Sequence, residues 1–264
     1  MTEPASRPAA ERPFAGLAGA RVLVTGGSRG IGRATALILA ACGARVAITV
    51  ASRQDSADEV VQDARALGAE CVAMGGDLSD AATSRRVGEV TVDRFGGLDG
   101  FVGNHGVWPP DDVPLTEMSF SQWRRTMEAN LDSMFHVTLA AARAMADNGR
   151  IVLVTSTAAQ RGEAGHGDYA ASKGALVSLV KGLCVELAPR GITVNSVAPG
   201  WVDTDLSASV LRSEGREKAM AGLPLRRVAT AEDVAGPIVF LCTPMARHIT
   251  GEIMNVNGGS VLCG

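Results

Sequence analysis

Apolar and polar positions along the chain follow two alternating periods. Short runs rich in Val, Ile and Ala predict strands at residues 21–25, 46–50, 70–74, 98–102, 150–155, 193–198 and 252–256. Stretches with apolar residues at helical spacing predict helices at residues 31–42, 57–67, 81–95, 119–146, 169–187 and 232–241. Strands that alternate with helices of this length predict right-handed crossovers, and therefore an α/β fold with a doubly wound parallel sheet and helices on both faces.

We expect a single folded domain. Residues 1–18 lack periodicity and predict a flexible N-terminal tail, whereas no internal repeat or Pro/Ser-rich linker divides residues 19–264. Two irregular stretches, 103–117 and 200–224, follow predicted strands. Since ligands of such sheets bind at the carboxyl ends of the strands, we expect both stretches to border a site.

Composition narrows the classes of partner. The 264 residues are 46% hydrophobic and 20% charged, with interspersed charges and a net charge of −3, so nucleic acid and anionic membranes are not expected partners. We expect a small-molecule ligand or further subunits instead. No apolar run is long enough for a membrane span, and the N-terminus has no apolar stretch typical of a secretory signal, which favours the cytoplasm. The five cysteines lack metal-ligand spacing and are expected in the core of a reduced, metal-free protein.

A glycine-rich turn, TGGSRGIG at residues 25–32, lies between the first predicted strand and the first predicted helix. Glycines at this point let a phosphate approach backbone N–H groups at the positive end of a helix. A bare glycine cluster is more often only a tight turn. Its position after the first strand favours a dinucleotide site.

This turn resembles that of the short-chain dehydrogenase/reductase family, and further motifs of that family follow in order and spacing. They are Asn130 in MEANLDSM, Ser156 in IVLVTST, Tyr169 and Lys173 in YAASK, Pro199, Gly200 and Thr204 in NSVAPGWVDTDL, and the VNGG ending at 256–259. The resemblance covers nearly all of the chain after the tail and implies a single-domain Rossmann-type fold. Within the family the chain is most similar to β-ketoacyl-acyl carrier protein reductases and to bacterial sugar or alcohol dehydrogenases.

Tyr169, the only tyrosine, and Lys173 are four residues apart and so project from one face of a helix. A phenol has a reference pKa of about 10, which an adjacent ammonium and an oxidised nicotinamide would lower. The resemblance implies that Tyr169 is the catalytic acid/base, that Ser156 orients the substrate oxygen, and that Asn130 holds a water that links Lys173 to solvent. Taken singly, the same residues also fit a packed tyrosine, a solvated lysine, a turn serine and an exposed helix asparagine.

The resemblance also implies a set of cofactor contacts. They are Gly26, Ser28, Arg29, Gly30, Ile31, Ser52, Arg53, Asp77, Leu78, Asn104, Gly106, Tyr169, Lys173, Pro199, Gly200, Val202 and Thr204. In NAD-preferring members of this fold an acidic residue at the end of the second strand binds the adenosine ribose. Here residues 48–53, at the end of the second predicted strand, contain no acidic residue, and the next acid is Asp55. Arg29 or Arg53 can instead bind a 2′-phosphate, with Ser52 as a further hydrogen-bond donor. We therefore predict NADP(H) over NAD(H).

Two sites depart from the family pattern or add to it. The usual Asn-Asn-Ala-Gly after the fourth strand is Gly103-Asn104-His105-Gly106 here, so an asparagine that braces the sheet and a small residue beside the cofactor are both replaced. His166 lies three residues before Tyr169 and either contacts the substrate or is a surface histidine.

The resulting functional hypothesis is an NADP(H)-dependent oxidoreductase that transfers a hydride between a nicotinamide and a ketone or secondary alcohol, including a 3-oxoacyl thioester. The alternatives are an NAD-dependent sugar or steroid-like alcohol dehydrogenase, a catalytically silent dinucleotide-binding regulator and, least favoured, an isomerase or dehydratase. Proteins that the chain resembles are commonly homotetramers, and the apolar ending VNGGSVLCG is expected at a subunit interface.

Overall fold

The computed structural model, which describes residues 14–212 and 214–262, contains one parallel sheet of seven strands. The strands are β1 (Arg21–Val24), β2 (Arg45–Val50), β3 (Cys71–Gly75), β4 (Leu98–Gly103), β5 (Met145–Val154), β6 (Thr193–Pro199) and β7 (Ile253–Val256). Their order in the sheet is β3-β2-β1-β4-β5-β6-β7. The chain moves outward from β1 in both directions, so a crevice opens between β1 and β4, where doubly wound sheets bind ligands.

Helices cover both faces of the sheet, as predicted. They are α1 (Gly30–Ala41), α2 (Gln54–Ala66), α3 (Ala81–Phe95), α4 (Phe120–Met127), α5 (Ser133–Ala144), α6 (Ala158–Arg161), α7 (Gly167–Glu186), α8 (Glu214–Ala221) and α9 (Ala231–Leu241). Along β1, Val22 and Val24 face a core built with α1, α2 and α9, while Leu23 faces a second core built with α3, α5 and α7. This alternation is the period of two that buries both faces of a strand.

The helix predicted at 119–146 has a different course. It consists of α4, a π-helical turn at Glu128–Asp132, and α5, and the chain turns extended at Met145 to begin β5. The irregular stretch predicted at 200–224 contains α8, and the short helix α6 was not predicted. A π turn inserts one residue into the helical repeat, which places Asn130 in a buried position.

The N-terminal boundary of the packed domain lies earlier than residue 19. Residues 1–13 of the predicted tail lie outside the described residues, but Phe14 and Leu17 pack against the α1 side of the sheet, and Leu17 is only 2% exposed. Residues 14–18 therefore belong to the folded domain. Among the residues described, we find no helix with the length and apolar character that a membrane crossing requires.

Candidate active site

Glycine is required at three positions between the end of β1 and the first turn of α1. Gly26 and Gly30 have φ values of 62° and 51°, in the left-handed region. A Cβ atom on Gly32 would lie 2.1 Å from the carbonyl oxygen of Gly26. Asn104 holds the other side of the turn, because its Nδ2 donates to the carbonyls of Thr25 (3.1 Å) and Gly26 (3.2 Å). The result is an open helix N-terminus that fits the pyrophosphate of a dinucleotide.

A cleft of about 370 Å³ runs from this turn across the carboxyl ends of β1, β2 and β4. The predicted cofactor contacts that line it are Gly26, Ser28, Arg29, Gly30, Ile31, Ser52, Arg53, Asp77, Leu78, Asn104, Gly106, Tyr169, Lys173 and Thr204. The other three predicted contacts, Pro199, Gly200 and Val202, line a neighbouring cavity of about 350 Å³ that shares Tyr169 and Thr204 with the cleft. Each volume lies within the range of small-molecule sites.

One residue of the cleft was missed by the sequence analysis. Asp205, in the loop after β6, accepts from Nη1 of Arg29 at 3.2 Å and from Nη1 of Arg53 at 3.0 Å. The two arginines precede α1 and α2, so three separate parts of the chain meet at the predicted ribose end of the cleft. No local sequence pattern marks this contact.

Tyr169 lines both the cleft and the second cavity. Ser156, which follows β5, lines only the second cavity and forms a side-chain hydrogen bond with Tyr169. Lys173, one helical turn after Tyr169, lines only the cleft. The phenol therefore lies between a space on the side of Lys173 and a space on the side of Ser156.

Burial determines the protonation of this pair. It raises the pKa of Tyr169 to about 12, and the hydrogen bond from Ser156 only partly opposes this. Burial also lowers the pKa of Lys173 to about 8, while its Nζ donates to the carbonyl of Val154 at 3.0 Å. With a pKa of about 8, the Lys173 amine is uncharged at the pH where the Tyr169 phenol ionises, so the predicted lowering of the phenol pKa by an ammonium does not apply there. At neutral pH Tyr169 is a proton donor and Lys173 is mostly a cation.

Asn130 is fully buried, so its alternative interpretation as an exposed helix residue is wrong. Its Oδ1 accepts from the N–H of Val107 at 2.7 Å, and its Nδ2 donates to the Val107 carbonyl at 2.9 Å and to Ser172 Oγ at 3.1 Å. A Cβ atom on Gly106 would lie 3.0 Å from Asn130 Oδ1 and 3.3 Å from Lys173 Nζ. Asn130 thus fixes the loop after β4 against α7, next to the ammonium.

A buried carboxylate supports the start of α7 and was not singled out by the sequence analysis. Asp168 is fully buried and accepts through Oδ2 from Thr126 Oγ1 at 2.7 Å and from Gln122 Nε2 at 3.3 Å. Its Oδ1 accepts from the backbone N–H of Tyr169 at 2.8 Å. The one sequence signal for Asp168 is its position directly before Tyr169. These hydrogen bonds are the ones that a buried carboxylate needs.

His105 replaces the expected small residue and joins two elements of the cleft. Its Nδ1 lies 2.8 Å from Thr25 Oγ1 and its Nε2 lies 2.9 Å from Ser133 Oγ. Ser133 donates its own proton to the Ala129 carbonyl at 2.7 Å, so Nε2 is the ring nitrogen that carries the hydrogen. Burial, with the nearby Lys173 charge, lowers the pKa of His105 to about 3, which keeps the ring neutral.

His166 is 2% exposed, so it is not a surface histidine, and it does not line either space. It stacks on Trp108 with ring centroids 4.2 Å apart and an interplanar angle of 14°. Its ring nitrogens contact the Pro109 carbonyl at 2.9 Å and Asp112 at 3.2 Å. Trp108 in turn meets Trp201 edge-on at 6.3 Å, and both tryptophans line the second cavity. His166 supports the aromatic wall.

Packing explains why Gly103 stands where the family usually has asparagine. A Cβ atom there would lie 2.5 Å from Met134 Sδ and 2.7 Å from Leu153 Cδ2. The side chains of α5 and β5 occupy the space that the family's asparagine would need. Asn104, which holds the carbonyls of the glycine turn, provides bracing at the next position.

Comparisons with known proteins agree with this geometry. Residues 26–260 match a family model described as "Enoyl-(Acyl carrier protein) reductase". The chain is 38% identical to the 3-oxoacyl-[acyl-carrier-protein] reductase of Synechocystis over 243 residues, which cover 91% of this chain and 96% of that protein. It is also 38% identical to the 3-oxoacyl-[acyl-carrier-protein] reductase FabG of Escherichia coli over 239 residues, with 90% and 95% covered.

Solved structures of dehydrogenases and related proteins share this fold and much of the sequence. A short-chain dehydrogenase from Burkholderia cenocepacia in complex with NADP superposes with a TM-score of 0.87 at 38% identity and covers 92% of this chain and 98% of that chain. A blue fluorescent protein from a metagenomic library in complex with NADPH has the same score and identity, with 93% and 99% covered. The glycine turn, the Ser156–Tyr169–Lys173 arrangement and these similarities establish that the chain belongs to the short-chain dehydrogenase/reductase family of oxidoreductases.

Proposed function

We propose that this enzyme uses NADP(H) to interconvert a ketone and a secondary alcohol, with 3-oxoacyl thioesters as the substrate class. The observation that carries the proposal is the position of Tyr169 between the cleft and the second cavity, with Lys173 on one side and Ser156 on the other. The substrate class is supported by the similarity to the 3-oxoacyl-[acyl-carrier-protein] reductases of Synechocystis and Escherichia coli.

The residues of the cleft fit a dinucleotide. The absence of a side chain at Gly32 lets the Gly26 carbonyl and Asn104 Nδ2 pack against the first turn of α1, since a Cβ there would lie 2.1 Å and 2.6 Å from them. This packing holds the glycine turn at the helix N-terminus, where a pyrophosphate would bind. Asp77 and Leu78 would hold the adenine end, and Arg29, Ser52 and Arg53 would hold the 2′-phosphate. The nicotinamide, when bound, supplies the hydride for reduction or accepts it in oxidation.

The protein's part in reduction is to place the carbonyl and to deliver one proton. Ser156 Oγ donates a hydrogen bond that holds the substrate oxygen beside the phenol. Tyr169, whose pKa of about 12 keeps it protonated, donates its proton to that oxygen. The Lys173 ammonium stabilises the phenolate that remains. Asn130 fixes the loop beside Lys173 and is the residue we assign to a proton path toward solvent.

Tyr169→Phe tests the proposal, because Phe keeps the ring and removes the phenolic proton that we assign to the substrate oxygen. Wild type and variant are assayed with NADPH and NADH against a panel of 3-oxoacyl thioesters, simple ketones, sugars and steroid-like alcohols. We expect wild-type reduction of 3-oxoacyl thioesters with NADPH. We also expect a loss of kcat of about 100-fold or more in Tyr169→Phe, with the Kd for NADPH unchanged.

The other outcomes separate the alternatives. Clear preference for NADH with sugars or steroid-like alcohols indicates the dehydrogenase alternative. Tight cofactor binding without turnover of any panel member indicates the silent regulator. Retention of wild-type kcat in Tyr169→Phe refutes the role of the phenol.

We further propose a cytoplasmic homotetramer. Leu262, near the apolar C-terminal end, is 90% exposed in the single chain, and Phe120 on α4 is 76% exposed, so both offer apolar surface for a neighbouring subunit. The unpaired thiols of Cys71, Cys184 and Cys242 are typical of a reducing compartment. A monomeric mass in light scattering would refute the assembly, and fractionation of source cells tests the compartment.

A further inference from the structure

Arg29 and Arg53, at the ribose end of the cleft, share a single carboxylate oxygen. Asp205 Oδ2 is 3.2 Å from Nη1 of Arg29 and 3.0 Å from Nη1 of Arg53. All three side chains are about half exposed, with 48%, 57% and 55% of their side-chain surfaces accessible. The contact is open to solvent and lies in the cleft wall.

A carboxylate and a phosphate compete for the same guanidinium donors. Arginine binds both through the N–H groups of its planar fork. While Asp205 holds the two arginines, the site has a net charge of +1 from these three groups instead of +2, and one N–H of each arginine is engaged. A 2′-phosphate must therefore displace the carboxylate or bind beside its negative charge. The neutral 2′-hydroxyl of NAD(H) meets neither obstacle.

We infer that Asp205 is a residue that determines cofactor specificity, in that its carboxylate competes with the 2′-phosphate of NADP(H) for Arg29 and Arg53. The inference rests on the proposed function only in requiring a dinucleotide in this cleft. Asp205 weakens the binding of NADP(H) and leaves that of NAD(H) nearly unchanged. The loop after β6 thereby moderates a preference that the two arginines would otherwise make stronger.

The expected effect is modest. Exposed ion pairs contribute little and are screened by salt, so the phosphate displaces the carboxylate readily. We expect Asp205→Asn to lower the Kd for NADPH by about three- to tenfold at low ionic strength, with a smaller difference at high salt. The Kd for NADH should change by less than about twofold, because its ribose brings no charge to this point.

Asp203→Asn is the matched control. Asp203 lies two residues away in the same loop, is 52% exposed, and pairs with Arg216 at 2.7 Å outside the cleft. Its substitution makes the same change in net charge without touching the two arginines of the cleft. A general effect of net charge would change the Kd for NADPH equally in both variants.

The experiment measures the Kd of NADPH and NADH by isothermal titration calorimetry for wild type, Asp205→Asn and Asp203→Asn at two salt concentrations. Melting temperatures verify that each variant is folded. Tighter NADPH binding in Asp205→Asn alone supports the inference. Unchanged or weaker NADPH binding in that variant, or equal tightening in Asp203→Asn, overturns it. A wild type that binds neither cofactor refutes the proposed function, a result distinct from the failure of Asp205→Asn to change NADPH affinity.

Discussion

Lys173 keeps an ammonium group in a buried position. The residue is 4% exposed, and burial lowers its pKa from 10.5 to about 8. The unfolded chain therefore binds more protons than the folded chain between pH 8 and 10.5. The free energy of unfolding must therefore rise with pH through this window. Below pH 8 the buried charge lowers that free energy by its full amount.

The cost can be estimated from the pKa difference. A drop from 10.5 to about 8 corresponds to about 3 kcal/mol of unfavourable free energy at neutral pH. Lys173→Met removes the charge but also the hydrogen bond to the Val154 carbonyl, which contributes about 1 kcal/mol. We expect the variant to be more stable than wild type by about 2 kcal/mol at pH 7 and to lose this advantage by about pH 10.

Urea unfolding at about pH 7 and about pH 10, followed by circular dichroism, measures both the gain and its disappearance. Lys181→Met is the control, because Lys181 lies on the same helix, donates to the Gly251 carbonyl at 2.5 Å and is exposed. The ionisation of Tyr169 above pH 10 affects wild type and both variants alike and cancels in the comparison. A Lys173→Met protein that is no more stable than wild type at pH 7, or whose gain does not depend on pH, refutes the reasoning.

Three further substitutions test other parts of the site. Gly32→Ala puts a methyl group 2.1 Å from the Gly26 carbonyl oxygen and so must displace the glycine turn. Calorimetry should then show NADPH binding weakened at least about tenfold, and wild-type affinity would contradict a cofactor site at this turn. Asp168→Asn places an amide donor among donors such as the Thr126 hydroxyl and should cost about 1–3 kcal/mol in urea unfolding, with wild-type stability as the contrary result. Ser156→Ala should lower kcat about tenfold or more while the Kd for NADPH stays constant, since Ser156 lines only the second cavity; a changed Kd would argue against that placement.

The strands of the parallel sheet, the helices between them and the glycine turn were predictable because their signals are local. A β-branched run followed by TGGSRGIG and an apolar helix has few other solutions in an α/β chain. Helix periodicity, in contrast, does not register the π turn at Glu128–Asp132, since the apolar pattern on either side is that of an ordinary helix. That turn determines where the Asn130 side chain lies.

Contacts between distant positions were beyond sequence reasoning. Asp205 contacts Arg29 and Arg53, which lie 176 and 152 residues away along the chain, and the residues next to Asp205 in the sequence do not indicate these contacts. The burial of His166 depends on Trp108, which arrives from the loop after β4. Motifs therefore identified the residues that we propose to react, while the residues that adjust the charge and the wall of the site emerged only from the folded chain.

The placement of Tyr169 has a spectroscopic consequence. Because the chain has a single tyrosine, selective isotope labelling of tyrosine rings yields one residue's signals from all 264 residues. That ring lies against the cleft on one side and the second cavity on the other. One labelled sample can thus record, by nuclear magnetic resonance, the arrival of cofactor, the arrival of substrate and the ionisation of the phenol at a single known position.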